Sequence, residues 1–143
     1  MTQFAKWRGS RSSITIAALL IGTVLGMGAD HLLFAQQLGI KRTLLLRTDS
    51  PGNPAYEAVM AVAEIAPGAS AGKHRHNGIE IGYVLEGSAR LEHEGRAPLV
   101  LTAGQAFKNE AGVHDAKNTG KGPLRILAVY LVEKGKPLSE PVP

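Results

Sequence analysis

Turn-forming residues divide the chain after residue 35 into short segments of similar length. Glycine or proline stands at each break: Pro67-Gly68, Asn77-Gly78, Glu86-Gly87, Glu94-Gly95, Ala103-Gly104, Ala111-Gly112 and Gly120–Pro123. Glycine tolerates a positive φ without steric cost, so these positions suit chain reversals. No sustained 3.6-residue apolar repeat lies between them. The pattern predicts an all-β domain of six to nine short strands in a sandwich or barrel.

The β-prone runs between the turns define the predicted strands. They are Lys41–Arg47, Tyr56–Ile65, Gly72–His76, Glu80–Leu85, Ser88–His93, Leu99–Thr102, Gln105–Lys108, His114–Asn118 and Leu124–Val132. We interpret residues 36–54 as an N-terminal arm with the first strand and residues 55–133 as the barrel. Residues 134–143, which contain three prolines, are expected to form a tail along the surface.

Several of these strands are apolar on both faces. Tyr83–Leu85 and Leu124–Leu131 lack the polar alternation of a strand that is wet on one side. A second sheet or a partner subunit must therefore cover the other face. About 108 residues after position 35 make a modest core, and the pattern favours a homodimer.

The N-terminus is ordered like a secretory signal. Lys6, Arg8 and Arg11 precede the uncharged stretch Ile14–Ala29, which is followed by small or polar residues. We interpret residues 1–35 as a signal peptide cleaved after Ala35, with cleavage after residue 29 as the alternative, and expect a periplasmic or secreted protein. An uncleaved membrane anchor facing the periplasm is the other interpretation, although the apolar run of 16 residues is shorter than the roughly 20 that span a bilayer.

The charge distribution argues against a nucleic-acid partner. The chain has a net charge of +4, and after residue 35 it carries 13 basic and 11 acidic residues, a net of +2. These basic residues are scattered and form no run that would follow a phosphate backbone. The chain has no cysteine, so any bound metal must be held by nitrogen and oxygen atoms.

The stretch Gly68–Gly87 holds the residues with the clearest chemistry. His74 and His76 lie two apart, so on a strand both imidazoles point to the same face. Asn77-Gly78 is a strong hairpin signal that would bring Glu80 back beside them. His114 begins a later strand that a barrel can place alongside. Three imidazoles and a carboxylate suit a divalent first-row metal, whereas histidine pairs on wet strands are the alternative interpretation.

The same residues resemble the two sequence signatures of the cupins. The first signature is matched by Gly68, His74, His76, Glu80 and Gly87, and the second is approached by Gly104, Gly112, His114 and Asn118. Glu110 replaces the usual proline, and one residue fewer than usual precedes His114, which could displace that histidine by one strand position.

The cupin resemblance implies a particular fold and cofactor. The fold would be a cupin-type β-barrel, a double-sheet jelly roll, of the small single-domain bacterial type that often pairs as dimers. His74, His76, Glu80 and His114 would bind one divalent transition metal, Fe, Mn, Ni, Cu or Zn, inside the barrel.

The resemblance leaves two classes of function open. One is a metal-dependent enzyme, dioxygenase-like with iron or an isomerase or hydrolase with Zn or Mn, acting on a small organic substrate; Glu80 would remain a ligand or act as a catalytic base. The other is a non-catalytic periplasmic module that binds a small molecule or the metal itself. The fold alone does not choose between them.

Strand alternation also predicts the surroundings of the site. Gly82 and Val84 should face inward with Glu80, whereas Tyr83 should face outward. Val84, Phe107 and Asn118 are the candidate substrate-pocket residues. His93 stands between two glutamates beside a glycine turn and is interpreted as a solvated turn histidine.

Overall fold

The computed structural model describes residues 39–143, which form two antiparallel five-stranded sheets facing each other. The strands are β1 Ile40–Asp49, β2 Tyr56–Ile65, β3 His74–Arg75, β4 Gly78–Glu86, β5 Ser88–His93, β6 Leu99–Thr102, β7 Ala106–Asn109, β8 His114–Asn118, β9 Leu124–Glu133 and β10 Glu140–Pro141. Sheet A has the order β1-β2-β9-β4-β7, and sheet B has the order β10-β3-β8-β5-β6.

The all-β prediction is confirmed for this part of the chain. Residues 39–143 contain no helix. This part of the chain therefore has no helix that is long and apolar enough to span a membrane. Four strands have the predicted bounds, namely β2, β5, β6 and β8. The others differ at their ends, and β3 is shortened to two residues because the chain leaves sheet B directly after it.

The core lies between the two sheets and follows the side-chain alternation of the strands. On β9 every second residue is buried, and β2, which pairs with β9 along its full length, follows the same alternation from Tyr56 to Ala61. The largest fully buried side chains include Ile65, Leu124 and Val132 from sheet A and Leu91 from sheet B. Facing side chains from both sheets thus form one apolar layer, as in other sandwiches.

Two glycines allow the chain to cross between the sheets. A Cβ atom at Gly78 would overlap the carbonyl oxygen of Leu131. Gly87 has a φ of +86°, and its Cβ would lie 2.6 Å from the carbonyl oxygen of Pro123. Both positions therefore require glycine for close backbone approach, and Gly87 also requires it for its backbone conformation.

Both ends of the described region are integrated into the sheets. β1, predicted as part of an N-terminal arm, pairs with β2 from Ile40 to Asp49. The C-terminal segment, predicted as a surface tail, also supplies β10, which pairs with β3. Leu138 packs against the core as well. The predicted signal segment, residues 1–35, lies outside the described residues.

Candidate metal centre

Both sheets contribute side chains to one buried cluster. His74 lies on β3, His76 directly follows this strand, and His114 is the first residue of β8. His74 and His114 are paired directly across these strands. Glu80 lies on β4 of sheet A and faces them across the interior. The short turn before His114 therefore does not displace it from the cluster.

The predicted hairpin at Asn77-Gly78 is wrong. β3 pairs with β8 and β10 in sheet B, whereas β4 pairs with β9 and β7 in sheet A. The turn is instead a corner where the chain crosses between sheets. Glu80 still meets the histidines because the two sheets face each other.

The cluster has the dimensions of a metal site. The ring centroids of the three histidines lie 4.4 to 5.1 Å apart, and one nitrogen from each ring lies within 4.8 Å of the others. The Glu80 Oε2 atom is 3.3 Å from His76 Nε2 and 3.5 Å from His114 Nε2. Three nitrogens and one oxygen thus converge on a small volume.

Backbone carbonyls fix the orientation of all three rings. Nδ1 of His74 donates to the Gly72 carbonyl oxygen at 2.7 Å, and Nδ1 of His114 donates to that of Gly112 at 3.0 Å. Nδ1 of His76 donates to the Leu138 carbonyl oxygen at 2.6 Å. Because a carbonyl only accepts, each Nδ1 carries the hydrogen, and the Nε2 of a neutral ring presents a lone pair. Such outer hydrogen bonds are typical of metal-ligating histidines.

Two of these Nε2 atoms are buried without a hydrogen-bond partner. His76 is 3% exposed and His114 is 2% exposed, and Nε2 of each is unpaired. Burying a polar atom without a partner costs free energy. Each lone pair also faces the Glu80 carboxylate, which is itself electron-rich. A cation between them would satisfy all three groups, so the histidine cluster could hold a metal ion.

The electrostatics of the cluster favour the ligand forms of its groups. Burial lowers the pKa of His74 to about 4, so its ring is neutral at pH 7. Burial alone would raise the pKa of Glu80, but hydrogen bonding to the carboxylate, including that from Asn109, outweighs burial, and this pKa lies far below its usual range. Neutral imidazoles and an ionised carboxylate are the states that bind a divalent cation.

Sheet A also supplies hydrogen-bond donors to Glu80. Asn109, which is paired with Glu80 across β4 and β7, donates from Nδ2 to Oε2 at 2.6 Å. The Tyr130 hydroxyl also interacts with Glu80, and burial together with the Glu80 charge raises the pKa of Tyr130. Tyr130 therefore keeps its proton and can donate. These donors hold the carboxylate toward the histidines.

Sequence reasoning missed Asn109 and Tyr130 and misjudged His93. His93 is half-buried and bonds through Nε2 to Asn109 Oδ1 at 2.6 Å, so its interpretation as a solvated turn residue is wrong. Its ring also lies 5.9 Å from that of His114. Pairing β7 with β4 would have identified Asn109, and inward alternation on β9 would have identified Tyr130. The pairing of β7 with β4 is not visible in local sequence, and neither is the position of β9 opposite the histidines.

A cavity of about 470 Å³, counted to its open mouth, adjoins the cluster. Its lining residues are Arg42, Ala63, Ile65, Ala71, His74, His76, Glu80, Phe107, Asn109, His114, Ala116, Ile126, Tyr130, Leu138 and Ser139. Phe107 therefore lines the cavity and packs over Gly82. Tyr83, by contrast, points outward and is 44% exposed.

Two of the candidate pocket residues lie outside this cavity. Val84 faces inward, but it is fully buried in the apolar core, one inward position beyond Gly82. Asn118 is also buried, and its Nδ2 donates to the carbonyl oxygens of Ile65 and Gly122. Its role is to join a turn to β2. Val84 and Asn118 therefore do not line this cavity, contrary to expectation. An inward-facing side chain can lie at any level of the barrel, and the cavity occupies only part of the interior.

Comparison with known proteins agrees with this fold. Residues 61–130 match the family profile described as a cupin domain. Solved cupin structures share the fold of two facing sheets. Residues 61–130 thus belong to a small cupin domain, and the resemblance seen in the sequence is confirmed.

Two curated relatives and one solved structure show the range of similar proteins. The HTH-type transcriptional regulator PuuR of Escherichia coli (strain K12) is 36% identical over 81 residues, 55% of this chain and 43% of that protein. The oxalate-binding protein of Thermotoga maritima is 31% identical over 75 residues, 52% of this chain and 62% of that protein. The chain therefore spans less than two thirds of either relative. A predicted oxalate decarboxylase of Thermotoga maritima has a TM-score of 0.54 at 28% identity, covering 66% of this chain and 80% of that one.

Proposed function

We propose that the chain is an exported metal-dependent cupin that binds one divalent transition metal through His74, His76, His114 and Glu80. The observation that carries this proposal is the pair of buried, unpaired Nε2 atoms facing an ionised carboxylate. Three histidines and one carboxylate suit Fe, Mn, Ni, Cu or Zn and leave one or two positions for a ligand.

The enzyme is the favoured function, and it would act on a small organic substrate. A bound divalent metal polarises an oxygen atom of the ligand, and with iron it supports oxygenase chemistry. Asn109 and Tyr130 hold Glu80 in place, which favours Glu80 as a ligand over its alternative role as a catalytic base. Phe107 and other apolar side chains line much of the rest of the cavity.

A non-catalytic binding module is the second candidate. The relative from Thermotoga maritima that is named for binding oxalate favours it. An enzyme would consume the ligand or oxygen in repeated turnovers, whereas a binding module would show a ligand-dependent thermal shift without product. Because oxalate also appears in the name of the similar solved structure, small carboxylates are the first ligands to test.

Elemental analysis tests the metal site directly. We expect about one equivalent of a transition metal in wild-type protein purified without chelator, and its loss in a variant carrying both His74→Ala and His76→Ala. Glu80→Gln should weaken metal retention as well, because it removes the anionic ligand. The matched control is Glu92→Gln, which changes an exposed glutamate on β5. A metal-free wild type, or a double variant that retains the metal, would refute the proposal.

Export and pairing are further parts of the proposal. The charge and apolar order of residues 1–35 support export, and fractionation of cells expressing the full chain should place the protein in the periplasm. Mass spectrometry of the mature N-terminus distinguishes cleavage after Ala35 from an uncleaved anchor. Cytoplasmic protein with an intact N-terminus would contradict both. A second copy of the chain is the proposed partner, supported by the exposed apolar face of sheet A.

A further inference from the structure

Arg42 is a basic side chain on the wall of the metal-site cavity. It lies on β1, is paired with Ala63 of β2, and lines the cavity together with that residue. Arg42 is half-buried, whereas its neighbours Lys41 and Thr43 are exposed. Alternation along β1 places those neighbours on the opposite face of the sheet. The sequence showed no basic cluster, and only the pairing of β1 brings this arginine to the site.

Arg42 lines the same cavity as Asn109 and Tyr130, the two residues that hold Glu80. Its positive charge acts on Tyr130, where it partly opposes the rise in the pKa of that hydroxyl. The Tyr130 ring in turn lies 4.8 Å from the ring of His76. The cavity that holds the histidine cluster therefore also reaches the Arg42 side chain.

The charge balance of the cavity favours an anion. Its ionised lining groups are Glu80 and Arg42, which cancel, while the histidines that hold a metal are neutral. A divalent metal would therefore leave a net charge of about +2 in a cavity lined mainly by apolar side chains. Coulomb attraction is strong where water is excluded. A ligand with one or two negative charges would neutralise this excess.

We propose that Arg42 makes the cavity selective for small carboxylates, which would place one oxygen at the metal and another against the guanidinium. This inference rests on the proposed metal site and adds the residue that would select carboxylate ligands. The planar guanidinium presents paired N–H donors that match a carboxylate, as a lysine ammonium does not.

Calorimetric titration of the metal-loaded protein tests the role of Arg42. The probes are oxalate, acetate and neutral imidazole, which can occupy the metal without needing a basic side chain. Arg42→Met should raise the Kd for oxalate roughly 10- to 100-fold, the range for losing a hydrogen bond between charged groups. The Kd for imidazole should remain unchanged. Lys41→Met is the matched control, since it removes the same charge from the neighbouring, exposed position.

Two further measurements keep the outcome decisive. Metal content separates this inference from the metal site, because loss of metal from the wild type refutes the proposed function itself. Arg42→Lys retains the charge and should keep part of the oxalate affinity even if Arg42→Met folds poorly. Equal oxalate affinity in wild type and Arg42→Met, both metal-loaded, would overturn the inference. So would a wild type that binds imidazole but neither carboxylate, or an equal loss of oxalate affinity in Lys41→Met.

Discussion

The two sheets of this protein differ on both of their faces. On the outer face of sheet A, Ile81 is 54% exposed and Leu131 is 43% exposed. The outer face of sheet B instead carries charged residues of both signs, with Arg90 beside Lys117 and Glu92 beside Asp115 on the neighbouring strands β5 and β8. Val100, on the edge strand β6 of sheet B, is exposed and apolar as well. On the inner faces, sheet B and its following turn bring the histidines, whereas sheet A brings Glu80.

This difference supports the proposal that a second copy of the chain covers the outer face of sheet A. An antiparallel sheet facing water normally alternates apolar and polar residues, as β5 and β8 of sheet B do. Sheet A is apolar on both faces across its central strands β4 and β9, and contiguous exposed apolar surface marks an interaction site. The residues of the proposed metal site are divided between the two inner faces, so the site forms only when both sheets are in place.

The largest expected effect comes from placing charge on the outer face of sheet A. Ile81→Arg combined with Leu131→Arg should weaken self-association by roughly 100-fold or more, because a buried unpaired charge costs several kcal/mol. Val100→Arg on sheet B is the matched control and should leave the association state unchanged. Analytical ultracentrifugation measures both. A monomeric wild type would contradict the proposal that the outer face of sheet A contacts a second copy of the chain.

An acid titration of the chelator-treated protein sharpens the comparison of the inner faces. The pKa of His74 falls from an ordinary 6.5 to about 4 on folding, so the unfolded chain binds more protons between these values. Stability should therefore be lost as the pH falls from about 6.5 to 4, by up to roughly 3 kcal/mol. The lowered pKa of Glu80 adds a loss in the same direction below its ordinary value of 4.5.

Urea unfolding at several pH values measures this loss. His74→Gln has no titrating ring and should remove the part of the slope between pH 6.5 and 5, whatever its overall stability. A wild type with constant stability between these pH values would contradict the buried, neutral state of His74.

A smaller effect is expected from filling space on the inner face of sheet A. A Cβ atom at Gly82 would overlap the ring of Phe107, so Gly82→Ala should force this ring to move and cost about 1–3 kcal/mol. Gly52→Ala is the control, because its Cβ would meet no atom within 4 Å. Thermal unfolding compares the two. Equal Tm values for the two variants would show that the Phe107 ring can accommodate a methyl group at position 82 without cost.

The strands and the histidines were largely predictable because their signals are local. Ser88–His93 and His114–Asn118 lie between turn residues, and His74 and His76 stand at strand spacing. The corner at Asn77-Gly78 was misjudged, since a turn signal states where the chain bends and not which strand it pairs with afterwards.

The amino-acid sequence by itself determined the short β-strands, the inward alternation and the residue types that can bind a metal. Only the tertiary structure decided which distant groups complete the site. Asn109 reaches Glu80 through a strand pairing, and the Leu138 carbonyl orients His76 from a segment 62 residues away. Arg42 joins the cavity in the same way. The physical reason is that hydrogen bonds and charge act between neighbours in space, whereas sequence patterns report neighbours along the chain.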